Sequence, residues 1–134
     1  MTNFEDKYFS KFRFTKEQVD NILKNAFKDL AIAQKDKIPE VKFTYTYTAL
    51  IKSGIALLSY HQVKVKSVPG HHIKIIEKSA ELLSDETIND IGNTMRSKRN
   101  LDLYEGGIEV TEKECREYLG FVEKILARVK AIIP

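Results

Sequence analysis

An arginine, an asparagine and a tyrosine lie close together in Met95–Gly107, which reads MRSKRNLDLYEGG. At about 100° per residue, Arg99 falls within roughly 20° of the centre of an apolar stripe, Asn100 lies about 100° further round, and Tyr104 is one turn beyond Asn100. The stripe consists of Ile88, Ile91, Met95 and Leu103. Because a buried unpaired guanidinium is costly, Arg99 needs a carboxylate, backbone carbonyls, a subunit interface or a bound anion. A structural ion pair is an equally open alternative at this point.

The extent of the helix that carries these residues is predicted from start and stop signals in the sequence. Ser84 is the expected N-cap, and Asp85 and Glu86 in the first turn suit the positive end of a helix. Gly106–Gly107 is the expected stop, since glycine is common just past a helix C-terminus. Arg99 therefore lies in the last third of this fourth helix.

Four other helices are predicted from periodicity and capping. The first begins at Thr15, which has capping-box spacing to Gln18, and ends near Asp36. The second covers Phe43–Val63, although its first five residues individually favour strands. The third begins at His71 and His72, and the last begins at Thr111, which has capping-box spacing to Glu114. Gly54 would let a neighbouring helix approach the second one closely.

The fold class expected is all-α, an antiparallel bundle of about five helices in a single domain over residues 1–134. Residues 1–14 form a lead segment rich in aromatic side chains that is expected to pack on the bundle, and its early part could be a short helix. At 134 residues the chain is long enough for one sound core.

Charge and cysteine content narrow the function classes. A net charge of +3 is too mild to indicate nucleic-acid binding by itself. The local basic candidates are the segment with Arg96, Lys98 and Arg99, and the pair Lys64 and Lys66, and for each the favoured interpretation is a solvated face. The single cysteine, Cys115, fits a reducing, cytoplasmic compartment. The amino terminus lacks the features of a signal peptide, and no apolar run reaches membrane-spanning length.

Two adjacent histidines raise the hypothesis of a metal site. Their spacing argues against it. His71 and His72 diverge by about 100° on a helix, and no nearby residue completes a ligand set. No metal and no cofactor are therefore expected, and a local hydrogen bond at the helix start is the simpler role. Either histidine could serve the Arg99 region only if the third helix lies against the end of the fourth.

The order of these motifs resembles the HEPN superfamily of small all-helical domains. A tyrosine-bearing second helix is followed by GHHIKIIEKSAELL, then by MRSKRNLDLYEGG with Arg99–Asn100, and then by a long last helix. The resemblance covers roughly Thr15 to the end of the chain. The two quoted segments are similar to those of small stand-alone bacterial and archaeal members.

The resemblance implies a homodimer that brings two copies of the motif together and cuts RNA without metal. The arginine would hold the scissile phosphate, and a motif histidine would exchange protons with the 2′-hydroxyl or the leaving oxygen. Arg99, Asn100 and Tyr104 would then be the catalytic positions, with Arg96, Lys98, His71 and His72 as binding residues around them. Many members are toxins paired with a nucleotidyltransferase-type antitoxin, and others are inactive binding modules.

One position departs from the family pattern. Tyr104 stands where the motif histidine is expected, and a phenol with a pKa near 10 is a poor base at pH 7. Three hypotheses follow: a weak metal-independent endoribonuclease or other RNA-associated protein of a toxin–antitoxin or defence system, an inactive module that binds a nucleotide or a partner protein, and a plain helical bundle with a salt-bridged Arg99.

Overall fold

Five helices and two short strands make up the described chain. The computed structural model describes residues 2–104, 106–107 and 109–134, with the backbone alone at 102–104. The elements are β1 (Phe9–Lys11), α1 (Lys16–Lys35), α2 (Pro39–Tyr60), β2 (Val63–Val65), α3 (His71–Leu82), α4 (Glu86–Tyr104) and α5 (Glu112–Ile132). The predicted all-α bundle is confirmed. None of the described helices is both long and apolar enough to cross a membrane.

Local side-chain caps begin two of the helices as predicted. The Thr15 hydroxyl accepts the Gln18 N–H at 3.1 Å, and the Gln18 side chain accepts the Thr15 N–H at 2.8 Å. Thr111 and Glu114 make the same reciprocal pair at the start of α5, at 3.0 Å each way. Each box satisfies two backbone donors that would otherwise be unpaired, so it fixes where the helix begins.

The start of α4 differs from the prediction. Ser84 has a φ of 51°, and the cap is Asp85, whose carboxylate accepts the Thr87 N–H at 3.1 Å. The expectation that Ser84 caps this helix was wrong. The helix ends at Tyr104, just before the predicted glycine stop, where Gly106 and Gly107 both have positive φ.

Helix α2 is the centre of the core, and its strand-favouring residues are helical. Phe43 and Tyr47 are at most 1% exposed, and the Thr46 hydroxyl donates to the Lys42 carbonyl one turn earlier at 2.7 Å. Burial of the large side chains at helical spacing therefore overrides the local strand preference. The predicted bounds, Phe43–Val63, were four residues late at the start, where Pro39 occupies the first turn.

The lead segment contributes a strand, which the sequence did not predict. Strands β1 and β2 pair antiparallel, with Phe9 opposite Val65 and Lys11 opposite Val63. Phe9 is 2% exposed. The segment packs on the helices through this sheet, and Val63 belongs to β2 rather than to the second helix.

An ion-pair cluster ties the lead segment to α3. Glu5 lies 2.5 Å from Lys74 Nζ and 3.1 Å from Lys78 Nζ. Hydrogen bonds from the two ammonium groups lower the Glu5 pKa to about 2. These ion pairs hold α3 against the lead segment.

Two glycines let α3 pack closely between α2 and α4. A Cβ on Gly54 of α2 would lie 2.6 Å from both Ile75 Cγ2 and Ser79 Oγ, and one on Gly92 of α4 would lie 2.8 Å from Ile76 Cγ2. The predicted close approach at Gly54 is confirmed. This packing sets the position of the first turn of α3, where His71 and His72 lie.

We expect Gly54→Ala to lower the free energy of unfolding by about 1–3 kcal/mol, because the methyl group must displace α3. Urea denaturation followed by circular dichroism measures the change. Gly120→Ala is the matched control, since Gly120 lies in α5 with nothing within 4 Å of a Cβ. That substitution should stabilise the helix by roughly 0.5–1 kcal/mol. Equal effects at the two positions would contradict the packing argument.

Candidate functional site

A cleft of about 410 Å³ lies between the first turn of α3 and the C-terminal half of α4. The loop at 67–70 and residues 71–73 line one side, and Arg96, Arg99 and Asn100 line the other. Helices α3 and α4 pack together and are joined by the short link 83–85. Such neighbours run in opposite directions, so the beginning of α3 meets the later part of α4.

Arg99 lines this cleft and lies over an aromatic ring of α2. The side chain is half-buried, and its guanidinium carbon is 5.7 Å from the centroid of the Tyr47 ring. Such a cation–π contact positions the guanidinium without using its N–H donors. The described side chains supply no carboxylate partner for Arg99, while those of Asp102 and Glu105 lie outside the described part of the chain.

His72 is held by the same tyrosine. Its Nδ1 lies 3.0 Å from the Tyr47 hydroxyl. Burial, assisted by His71, Arg99 and Arg96, lowers the His72 pKa to about 4, and burial raises the Tyr47 pKa to about 12. Both groups are therefore neutral at pH 7, and the hydrogen bond between them fixes one wall of the cleft.

His71 is oriented differently. Its Nδ1 donates to the Val68 carbonyl at 2.8 Å, so the expected local hydrogen bond at the helix start is confirmed. A carbonyl oxygen only accepts, which places the proton on Nδ1 and leaves Nε2 with a lone pair when the ring is neutral. The His71 and His72 rings contact edge to face, with centroids 4.5 Å apart.

The first turn of α3 adds backbone donors to the same cleft. Gly70 is the N-cap residue, and no side chain caps this end of the helix. The first N–H groups of a helix have no partner within the helix, and they carry the positive end of its dipole. The His71 N–H already donates to the Val68 carbonyl at 3.1 Å. The next N–H groups of the helix, together with Arg96 and Arg99, make the cleft a site for an anion.

The structure brings together five of the seven residues singled out from the sequence. These five are His71, His72, Arg96, Arg99 and Asn100. Lys98 is not part of the cleft lining, since it forms an ion pair with Glu114 at 3.2 Å and links α4 to α5. The Tyr104 side chain lies outside the described residues.

Tyr47 is the functional residue that sequence reasoning passed over. It lies on the buried face of α2, where an apolar role was expected, and it is 1% exposed. A buried tyrosine hydroxyl needs a hydrogen-bond partner, and this requirement was the available signal that a polar group from another helix faces it.

Comparisons of the chain with protein-family models, with curated proteins and with solved structures found no match.

The neutral state of His72 predicts a pH effect on stability. Between about pH 6.5 and 4, the unfolded chain holds a proton on His72 that the folded chain lacks, because folding lowers this pKa from 6.5 to about 4. The free energy of unfolding contributed by this residue therefore falls as the pH falls through this window. Thermal unfolding of His72→Gln at pH 7 and pH 4.5 should show a smaller loss of stability than the parent. His61→Gln, which changes an exposed histidine at the end of α2, is the control and should lose as much stability as the parent. If His72→Gln also loses as much stability between pH 7 and pH 4.5 as the parent, the burial argument is contradicted.

Proposed function

We propose that the protein is a HEPN-like, RNA-associated protein whose α3–α4 cleft binds the phosphate backbone of RNA. The observation that carries this proposal is the convergence of Arg96 and Arg99 with the uncapped N-terminus of α3 in one cleft. No Asp or Glu is found among the described lining residues. An anion with several oxygen atoms fits this arrangement of donors.

Phosphate is favoured over a carboxylate ligand by the number of donors. Two guanidinium groups, the Asn100 amide and backbone N–H groups together exceed what one carboxylate accepts. A volume of about 410 Å³ is that of a site for a small organic unit such as a nucleotide. The family resemblance then directs the proposal to RNA, with weak metal-independent cleavage as the expected activity.

Two partners follow from the same proposal. A homodimer is supported by Ile73, 41% exposed, and Leu101, 47% exposed, which lie on the two helices that form the cleft. Light scattering at micromolar concentration should give a dimer mass, and a monomer would contradict the proposed homodimer.

A nucleotidyltransferase-type antitoxin is the second proposed partner, and a neighbouring gene that encodes one would support a toxin–antitoxin or defence role.

Fluorescence anisotropy with a labelled single-stranded RNA in EDTA tests the proposal. We expect saturable binding that weakens with salt. The logarithm of the affinity should fall with a slope of about −0.7 for each phosphate neutralised, or roughly −1.4 for two arginines. Absence of RNA binding at low salt would overturn it. If a mononucleotide binds instead, the alternative of an inactive nucleotide-binding module is favoured.

A further inference from the structure

The cleft contains histidine side chains from a helix that does not carry the Arg99 motif. Tyr104 replaces the histidine expected on α4, yet α3 places His71 and His72 beside Arg96 and Arg99. We propose that His71 is the residue that exchanges protons with RNA in this cleft, so that cleavage depends on α3 rather than on position 104. This inference rests on the proposed function, because it requires an RNA phosphate to lie against Arg99.

The hydrogen bonds distinguish His71 from His72. His72 is bonded through Nδ1 to a tyrosine hydroxyl that is buried in the core, which suits a wall of the cleft. His71 is bonded through Nδ1 to the Val68 carbonyl, so its Nε2 is the nitrogen that can accept a proton. A base whose second nitrogen is fixed by an acceptor is held in one tautomer and one orientation, as in hydrolase triads.

The position of His71 gives it access to a ligand in the cleft. Its side chain is half-buried, and it borders both this cleft and a smaller cavity of about 260 Å³, which Phe14, Ile55 and Ile75 also line. Proton transfer requires a base within hydrogen-bond reach of the substrate hydroxyl. A nucleotide whose phosphate contacts Arg99 would place its ribose within the same cleft.

The charged and titratable groups that line the two cavities or contact His72 come from α2, α3, α4 and β2. Arg96 and Arg99 lie on α4, Tyr47 on α2 and Lys64 on β2, and His72 is the neighbour of His71 on α3. The described lining residues of both cavities include no carboxylate. This cationic surrounding stabilises the negative charge that develops on phosphorus-bound oxygens during cleavage.

The step balances without a metal or a further co-reactant besides water. His71 Nε2 takes the proton of the 2′-hydroxyl while the 2′-oxygen forms a bond to phosphorus. The bond from phosphorus to the 5′-oxygen breaks, and its electron pair stays on that oxygen, which takes a proton from water. The hydroxide formed is neutralised by the proton on His71. The products are a 2′,3′-cyclic phosphate and a free 5′-hydroxyl.

Single-turnover cleavage of a labelled RNA in EDTA tests the inference. We expect His71→Ala and His71→Gln to slow cleavage by at least about 100-fold, the lower end of the contribution of general acid–base catalysis, while anisotropy shows that both still bind RNA. The glutamine amide can still donate to the Val68 carbonyl but cannot exchange a proton. Added imidazole should restore cleavage to His71→Ala, which loss of a purely structural histidine would not allow. Denaturation curves check that both variants fold.

The control and the outcomes separate this inference from the proposed function. His61→Ala removes a histidine that lies outside the cleft, and it should cleave at the parental rate. RNA with a 2′-deoxy nucleotide at the cleavage site should stay intact. Cleavage that His71→Ala leaves unchanged would overturn the role of His71 alone. Binding without any cleavage would overturn both that role and the expected cleavage activity, while the proposed RNA binding would stand. Absence of RNA binding by the parent would overturn the proposed function itself.

Discussion

We expect Arg99→Ala to weaken RNA binding by roughly 10- to 100-fold, because hydrogen bonds to a charged group contribute about 1.5–3 kcal/mol. The guanidinium lies over the Tyr47 ring, so its donors can face the cleft without rearrangement. Loss of the cation–π contact itself should cost only about 0.5–1 kcal/mol of folding stability. Anisotropy titrations and urea denaturation measure the two effects separately.

Two further substitutions sharpen the Arg99 test. Arg99→Lys keeps the charge but loses the planar pair of donors, and it should bind with intermediate affinity. Arg116→Ala removes the same charge from an exposed position on α5 that lines a different surface cavity, and it should bind RNA as the parent does. If Arg99→Ala binds RNA normally but loses about 3–5 kcal/mol of stability, Arg99 is one partner of a buried ion pair and the third hypothesis is favoured.

We expect Tyr104→His to raise RNA cleavage by at least roughly tenfold. General acid–base groups contribute about 10²–10⁴-fold when their pKa is close to the working pH, and imidazole meets this condition where phenol does not. The parent would then use His71 for one proton and water for the other. The variant would supply a second imidazole, for protonation of the leaving oxygen. Single-turnover cleavage in EDTA compares the two proteins.

The gain at position 104 should depend on phosphate binding. The double variant Arg99→Ala with Tyr104→His should lose it, because the added imidazole then has no positioned phosphate. Tyr104→Phe is the control for removal of the phenol, and it should not raise the rate. If Tyr104→His cleaves no faster than the parent while both bind RNA, position 104 does not take part in proton transfer and the resemblance at this residue is misleading.

The helices could be predicted because their signals are local. Thr15 with Gln18 and Thr111 with Glu114 each satisfy backbone donors within one turn, so their short sequences are sufficient. Phe43 follows the helical apolar spacing of α2 against its own strand preference. The failure at the start of α4 is also local, since Asp85 is as good an N-cap residue as Ser84 and the sequence alone could not choose between them.

The pairing of β1 with β2 could not be predicted, because it joins three-residue strands more than fifty residues apart. Segments of three residues are too short to show a reliable alternation of apolar and polar residues, and each alone resembles a polar connector. That His71 and Arg99 line the same cleft could not be predicted for the same reason. It depends on the crossing of α3 over Gly54 and Gly92, which is a tertiary contact.

Lys98 was assigned to the site from the sequence but does not belong to it. It lies between Arg96 and Arg99 in a basic run, and it was singled out with them for binding. The residue nevertheless points to Glu114 on α5, because at about 100° per residue it lies roughly 160° round the helix from Arg96 and about 100° from Arg99. A basic run within a helix therefore supplies only some of its charges to any one site.

Backbone NMR spectra of the labelled protein, recorded during titration with a short single-stranded RNA, test the central claim most directly. The α3–α4 cleft should show the largest shift changes, at His71, His72 and Ile73 in the first turn of α3 and at Arg99 and Asn100 on α4. Arg99→Ala should abolish these changes at the same RNA concentration. Changes confined to another surface, such as that around Cys115 and Arg116, or no changes in the cleft at saturating RNA, would contradict the account.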